Sequence, residues 1–265
     1  LLDMAVRPVL QGGGMTETRG AGTGARPRHL LLAPLYLLGA LLVLLPAALI
    51  IARVIWMPFW IPASAMAPTL LAGDYMAVRP VQPDTIRRGD VLVFRHTVHS
   101  AAFVMRLVGL PGDRVQMADG RLHLNGDAVD REPAGTFTEV KGPQGPGLSL
   151  PRCGNDPVGM GMPCETPRQR ETLPGGRGHF TLDLQPDGAQ DDTPEFTVPA
   201  GHLFFLGDNR DNAFDSRFSQ AAGGLGMVPL ENVIGRAEWI VFSARGALLA
   251  DVWNWRGGRF LKGVE

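Results

Sequence analysis

The sequence predicts a mainly β, antiparallel fold behind one N-terminal transmembrane helix. Three observations support this prediction: an uncharged apolar stretch near the N-terminus, short apolar runs from Tyr75 onward, and turn signals between those runs. The chain of 265 residues contains 34 Gly and 22 Pro, which is typical of a protein with many turns. Its content of 45% hydrophobic and 19% charged residues excludes a wholly disordered or collagen-like chain.

The apolar stretch runs from Leu30 to Ala52 without a charged residue. As a helix it would span roughly 35 Å, enough to cross a bilayer with some tilt. A cleavable signal peptide has a shorter apolar part of about 7–15 residues, so we expect an uncleaved signal anchor. Arg19, Arg26 and Arg28 precede the stretch, which predicts a cytoplasmic N-terminus and an exported remainder.

The expected organisation is a cytoplasmic leader at residues 1–29, the anchor at 30–52 and a periplasmic domain at 53–265. Residues 1–14 precede Met15 and end in three glycines. Our hypothesis is that these fourteen residues are not part of the natural protein. The segment VIWMPFWI (54–61) is expected at the membrane interface because it is apolar and contains two tryptophans; the alternative is a first strand or a linker.

Short apolar runs separated by Gly-Asp, Pro-Gly-Asp and Asn-Gly pairs predict antiparallel strands in the exported part. The predicted strands are Val91–Phe94, Phe103–Leu110, Arg114–Met117, Leu122–Leu124, His179–Leu184, His202–Leu206 and Trp239–Ser243.

Residues 131–198 are rich in Pro, Gly and polar residues and are expected to form an elaborated insert. The insert contains Cys153 and Cys164. In an exported domain these two cysteines are expected to form a disulfide, the alternative being two free thiols. The C-terminal tail mixes tryptophans with basic residues such as Lys262, which suits either contact with anionic lipid or a packed edge strand.

Charge and cysteine content limit the function classes. A formal net charge of −1 argues against bulk electrostatic capture of nucleic acid. Two cysteines are too few for a disulfide scaffold or a cysteine-only zinc site, and we expect no metal and no cofactor. The chain contains only two lysines, Lys141 and Lys262.

Four segments occur in this order: Ile61–Asp74, Arg88–Phe94, Met105–Val115 and Gly207–Arg217. Together, behind a signal anchor, they resemble the bacterial type I signal peptidase (leader peptidase) family from about residue 30 to the end. The resemblance implies a β-rich, membrane-apposed periplasmic fold and cleavage of signal peptides from exported preproteins. It therefore places the chain in the bacterial inner membrane as a single-pass protein.

The chemistry of the family is a Ser/Lys dyad, in which a neutral lysine accepts the proton of the serine hydroxyl. The family serine directly precedes a Met-x-Pro-Thr-Leu pattern, which is Met66–Leu70 in this chain, and its position is occupied by Ala65. The family lysine directly precedes an arginine that matches Arg106, and its position is occupied by Met105. The resemblance therefore predicts a site that lacks both the nucleophile and the base.

Two more positions with polar side chains in the family are alanines in this chain. Ala213 replaces a serine near the lysine, and Ala63 stands where a side chain can assist the oxyanion. Residues expected to support the site or the peptide groove are Ala63, Met66, Pro68, Arg106, Asp208, Ala213, Asp215 and Arg217, with Asp215 and Arg217 as an ion pair.

Ser64 is the candidate substitute nucleophile. In an extended segment it would face away from Ala65, although a bulge could re-aim it. It would also need a base, for which His96 and His99 are the candidates.

We therefore expect a signal-peptide-binding pseudopeptidase, whose partners are signal peptides, the lipid bilayer and an active paralogue. The alternative is an active signal peptidase that uses Ser64 with a histidine. A third interpretation is that the sequence carries altered residues at these positions.

Overall fold

The structure, a computed structural model, describes residues 28–98, 101–185, 188, 190–246 and 252–265. The hypothesis about residues 1–14, almost all of the predicted leader and His99 lie outside the described residues.

The described residues form one α-helix and fifteen β-strands, joined by short 3₁₀ turns. The helix is α1 (Arg28–Ile55), and the strands are β1 (Met57–Trp60), β2 (Asp74–Arg79), β3 (Val91–Arg95), β4 (Ala102–Gly109), β5 (Arg114–Ala118), β6 (Arg121–Leu124), β7 (Asp127–Ala128), β8 (Asp130–Val140), β9 (Pro163–Leu173), β10 (Arg177–Leu182), β11 (Phe196–Thr197), β12 (His202–Leu206), β13 (Val228–Pro229), β14 (Val233–Ser243) and β15 (Lys262–Gly263).

Helix α1 has 28 residues and includes Pro34 and Pro46. Among the residues that the structure describes, no helix is long and apolar enough to cross a membrane. The chain divides into two compact units, Leu1–Leu49 and Ile50–Glu265, and all fifteen described strands belong to the second.

The strands form three sheets in which every pair of these strands is antiparallel. The largest sheet has eight strands in the order β1-β2-β14-β3-β4-β12-β13, with β15 paired to β14. The smaller sheets have the orders β10-β9-β8 and β11-β5-β6-β7. This confirms the prediction of a mainly β, antiparallel fold.

Two tight turns build the β5-β6-β7 hairpins. Asp119 and Gly120 have φ of 51° and 66°, and Asn125 and Gly126 have φ of 57° and 94°. Two successive residues with positive φ match the right-handed twist of the flanking strands, which is why Asp-Gly and Asn-Gly pairs occur at such turns. Residues on either side pair directly across the sheet, as Ala118 does with Arg121.

Strand β12 separates two hydrophobic cores because it is buried on both faces. Leu203 and Phe205 pack in one core with residues of β2, β3 and β4. Phe204 and Leu206 pack in the other core with residues of β5 and β6. The alternation follows from the two-residue period of a strand. The segment that follows β12 is therefore anchored from both sides.

The region of the predicted insert contains two eleven-residue strands, β8 and β9, which were not predicted. Within Val54–Ile61, Met57–Trp60 form β1 against β2, the first strand of the alternative interpretation. The position of this segment at the membrane interface stays a prediction. A disulfide with an S–S distance of 2.05 Å joins Cys153, in the connection between β8 and β9, to Cys164 in β9.

Candidate active site

The segment after β1 brings Ala65 beside the turn that follows β12. The backbone N–H of Asn209 donates to the carbonyl oxygen of Ala65 at 3.1 Å, and the Asn209 side-chain amide donates to the Ser64 carbonyl, also at 3.1 Å. Ala67 N–H donates back to the Ser64 carbonyl at 3.1 Å and closes a turn. Asn209 therefore fixes the backbone at Ala65.

Ala65, Met105 and Ala213 meet around Gly207. A Cβ atom placed on Gly207 would overlap the Cβ of Ala213 and would lie 2.7 Å from the Ala65 carbonyl oxygen and 3.6 Å from Met105 Sδ. Only glycine fits at this close approach. Three residues that are far apart in the sequence, and that the resemblance predicted to share one site, thus converge on one glycine.

A groove with a cavity volume of about 380 Å³ opens at Ala65 and Met105. Its other lining residues include the aromatic side chains of Phe59, Trp60, Phe103 and Phe214. In β4, residues 102–105 pair with β3 on one edge, whereas the pairing with β12 begins only at Arg106. Among the described strands, none pairs with the second edge of residues 102–105, which lies along the groove.

The predicted support residues fall into two groups. Ala63, Ala65, Met66 and Met105 line the groove. The remaining predicted residues, Pro68, Arg106, Asp208, Ala213, Asp215 and Arg217, are not among the groove-lining residues and belong to the surrounding scaffold.

Ser64 is not among the groove-lining residues. It is buried, and its Oγ accepts a hydrogen bond from the side-chain amide of Asn212 at 2.8 Å. The hydroxyl is therefore engaged in the 3₁₀ turn Arg210–Asn212 that supports the segment.

His96 follows β3 and lies beyond the far end of the groove-lining strand pair. Its backbone is four residues from Leu92, the partner of Met105, which corresponds to roughly 13 Å along a strand. The His96 Nδ1 accepts from Val98 N–H at 3.0 Å, and its ring lies 5.0 Å from the Phe103 ring. The structure does not bring His96 and Met105 together at the base position.

A buried ion pair lies behind the groove. Arg106 donates from Nε and Nη2 to the two carboxylate oxygens of Asp208, each at 2.7 Å, and both side chains are at most 2% exposed. Thr69 Oγ1 donates to the same carboxylate at 2.5 Å, and Arg106 Nη1 donates to the Gly89 carbonyl at 2.8 Å. The pair thus joins β4, the turn after β12 and the chain that follows Ala65.

The predicted pair of Asp215 and Arg217 is present and is also bidentate, with both N–O distances at 2.8 Å. Asp215 in addition accepts from the backbone N–H of Gly207 at 3.1 Å. Asp215 therefore holds the glycine on which Ala65, Met105 and Ala213 converge.

His179 is a buried residue that was not predicted to belong to the site. It lies on β10 with its side chain 1% exposed, and its Nε2 is 3.4 Å from Glu171 Oε1 and 3.9 Å from Asp208 Oδ1. Neither ring nitrogen makes a hydrogen bond within the described residues. Burial, and then the charges of Arg106 and Arg210, lower the pKa of His179 well below its ordinary value, so the ring is neutral at neutral pH.

The comparison with known proteins decides the family. The family model described as "Signal peptidase, peptidase S26" matches residues 35–242. The chain belongs to this family. Signal peptidase I of Rickettsia typhi is 32% identical in an alignment of length 230 that covers 75% of this chain and 76% of that protein. Signal peptidase I of Rickettsia massiliae is 31% identical in an alignment of length 237 that covers 78% of this chain and 79% of that protein.

Among solved structures, a signal peptidase I from Enterococcus faecalis V583 is 23% identical and covers 57% of this chain and 96% of its own. Its TM-score of 0.30 is too low to support any argument about the fold. Membership of the signal peptidase family therefore rests on the sequence matches.

Asp208→Asn is expected to destabilise this family member by roughly 3–5 kcal/mol, because it leaves the buried guanidinium of Arg106 without its counter-charge. The measurement is the free energy of unfolding in urea. The matched control is Glu195→Gln, in the exposed pair with Arg114 at 3.4 Å, which should cost at most about 1 kcal/mol. Equal losses in the two variants would contradict this account of the buried pair.

The neutral His179 predicts a pH dependence of stability. Because its folded-state pKa lies below the ordinary value of 6.5, the unfolded chain binds the proton more readily, and stability is lost as pH falls below 6.5. His179→Gln should remove a slope on the order of 1 kcal/mol per pH unit in that range. Urea unfolding between about pH 7.5 and pH 5.5 measures it. An unchanged slope in His179→Gln would refute the prediction.

Proposed function

We propose that this signal peptidase family member binds the signal peptides of exported preproteins without cleaving them. The observation that supports this most is the pairing of an intact groove with Ala65 and Met105 on its wall. A methyl group cannot attack a carbonyl, and a thioether has no proton to exchange and cannot act as a general base.

The residues around Ala65 and Met105 favour a loss of catalysis over a catalytic role for other side chains. Ala213, the third position with a polar side chain in the family, packs against Gly207 beside Met105. The Ser64 hydroxyl is engaged by Asn212 and is not among the groove-lining residues. A serine without a base within hydrogen-bond reach is a poor nucleophile.

The groove keeps the features that peptide binding needs. An extended peptide can add as a strand along residues 102–105 of β4, whose second edge has no partner among the described strands. Alternate peptide side chains would then enter the apolar cavity formed with Ala63 and Ala65. Hydrogen bonds from the backbone and apolar burial together supply affinity that does not depend on a dyad.

Membrane anchoring is part of the proposal. The uncharged stretch Leu30–Ala52 and the arginines before it support a single-pass anchor with a cytoplasmic N-terminus and a periplasmic domain at 53–265. In that placement the groove would meet signal peptides at the outer face of the inner membrane, either alone or beside an active paralogue.

Restoring the dyad should create activity. The double variant Ala65→Ser with Met105→Lys is expected to cleave a standard preprotein in detergent, whereas the protein with its own sequence should not. A lysine at position 105 would be almost fully buried, since Met105 is 3% exposed, and burial lowers a lysine pKa toward the neutral base that the reaction needs. The measurement is release of the mature protein over time.

Two controls accompany this assay. Met105→Lys alone should stay inactive because the nucleophile is still missing. Cleavage by the unmodified protein would overturn the proposal, and loss of that cleavage in Ser64→Ala would then identify the alternative nucleophile.

Binding is tested separately from cleavage. A fluorescently labelled synthetic signal peptide should bind the unmodified protein saturably, as measured by fluorescence anisotropy. Ala63→Trp should weaken this binding by about tenfold or more because an indole would fill the cavity beside Ala65. Ala128→Trp, at an equally exposed alanine on β7, should leave affinity unchanged. Identical affinities for all three proteins would show that the peptide does not occupy the groove.

A further inference from the structure

A second cavity, of about 310 Å³, has no lining residue in common with the groove. It lies between strands β9 and β10 on one side and the β15 region on the other. We call it the basic pocket and define it by Arg168, Arg170, His179, Phe180 and Lys262. Neither the dyad positions nor the proposed peptide site accounts for it.

The basic pocket has more positive charge than its neighbours neutralise. The Arg168 Nε and Nη2 donate to the Ala134 carbonyl at 3.0 and 2.7 Å, and its guanidinium lies 4.4 Å from the centre of the Phe180 ring. Neither partner carries a negative charge. None of the described carboxylates lies within salt-bridge distance of Lys262.

The remaining charges of the pocket do not change this balance. Arg170 is 4.0 Å from Glu132, and since both side chains are more than half exposed this pair contributes little. Arg259 is neutralised by Asp74 at 2.5 Å. Glu265 is the only acidic side chain among the described lining residues. A net positive charge of at least one therefore faces the cavity.

His179 also borders the cavity, but it is not one of its donors. It lies on the opposite face of β10 from Phe180 and from the Arg168 guanidinium that packs on that ring, because successive strand residues point to opposite faces. Its side chain is 1% exposed, and both ring nitrogens are buried. The charge that faces the cavity therefore comes from the arginines of β9 and from Lys262.

The donors come from β9 and β15 and therefore approach from two sides. A tetrahedral phosphate, with at least three acceptor oxygens, can meet such a set more fully than a carboxylate with two. Arginine is suited to this group because its planar fork matches the geometry of phosphate. The exposed ring of Phe180 would lie beside any apolar group attached to the phosphate.

We propose that the basic pocket binds a phosphate group, with Arg168 and Lys262 supplying charge and hydrogen bonds. The phosphate can belong to the headgroup of an anionic phospholipid or to free inorganic phosphate. The two sources share the same chemistry at the pocket and are separated by experiment.

The test uses the full chain in dodecyl maltoside and a phosphate-free buffer, with sodium phosphate as the probe in isothermal titration calorimetry. Saturable binding is expected, and Arg168→Gln with Lys262→Gln should weaken it by about tenfold or more because two charged contacts are lost. The matched control is Arg95→Gln with Arg114→Gln, which removes the same charge from two exposed arginines outside the pocket.

A second titration identifies the source of the phosphate. Dihexanoylphosphatidylglycerol that displaces inorganic phosphate supports the lipid headgroup, and failure to displace it supports free phosphate. Two results would overturn the proposal: no saturable binding of either probe, or the same loss of affinity in both double variants. The thermal unfolding of each variant is measured alongside, so that a loss of affinity is not confused with a loss of fold.

Discussion

The guanidinium of Arg106 makes two hydrogen bonds to the carboxylate of Asp208 in a part of the protein from which water is almost excluded. Taking both charges out of water is costly, and the pair is stable only because its remaining donors and acceptors are also satisfied, as by Thr69 and the carbonyl of Gly89. Those partners come from separate segments of the chain. Satisfying this one buried charge pair therefore fixes three segments relative to one another: β4, the turn after β12 and the segment after Ala65. The shape of the groove depends on these positions.

Much of the fold could be predicted because local chemistry agrees with the final pairing. Asn125 and Gly126 form a tight turn for the backbone reasons that make Asn-Gly a hairpin signal. Strands β8 and β9 could not be predicted in this way, because they contain prolines, a glycine and many charges and few of the residues that favour strands. They are stabilised by pairing with each other across a connection that contains a disulfide, and such long-range pairing leaves little local signal. Pairing between the two segments, rather than local strand propensity, therefore determines these two strands.

The candidate site, like the fold, could be predicted only in part from the sequence. The motifs predicted that Ala65, Met105 and Ala213 share one place, and their common neighbour Gly207 explains why they can approach so closely. The pairing of Arg106 with Asp208 was not predicted, although both residues were selected, since it depends on the register that aligns Leu206 with Arg106. His179 was missed because a single histidine in a strand has no pattern, and its charged neighbours come from three different segments, β4, β9 and the turn after β12.

The proposed binding of a peptide without cleavage is physically consistent, because binding and catalysis depend on different interactions. The groups that lower the barrier of peptide hydrolysis stabilise the transition state, whereas strand addition and apolar burial stabilise the bound peptide before any reaction. A methionine at position 105 carries no buried charge that would need partners, and Ala213 beside it adds no polar atom. Arg106 and Asp215 keep their own counter-charges. The scaffold around the proposed groove can therefore be stable with only a methyl group at position 65.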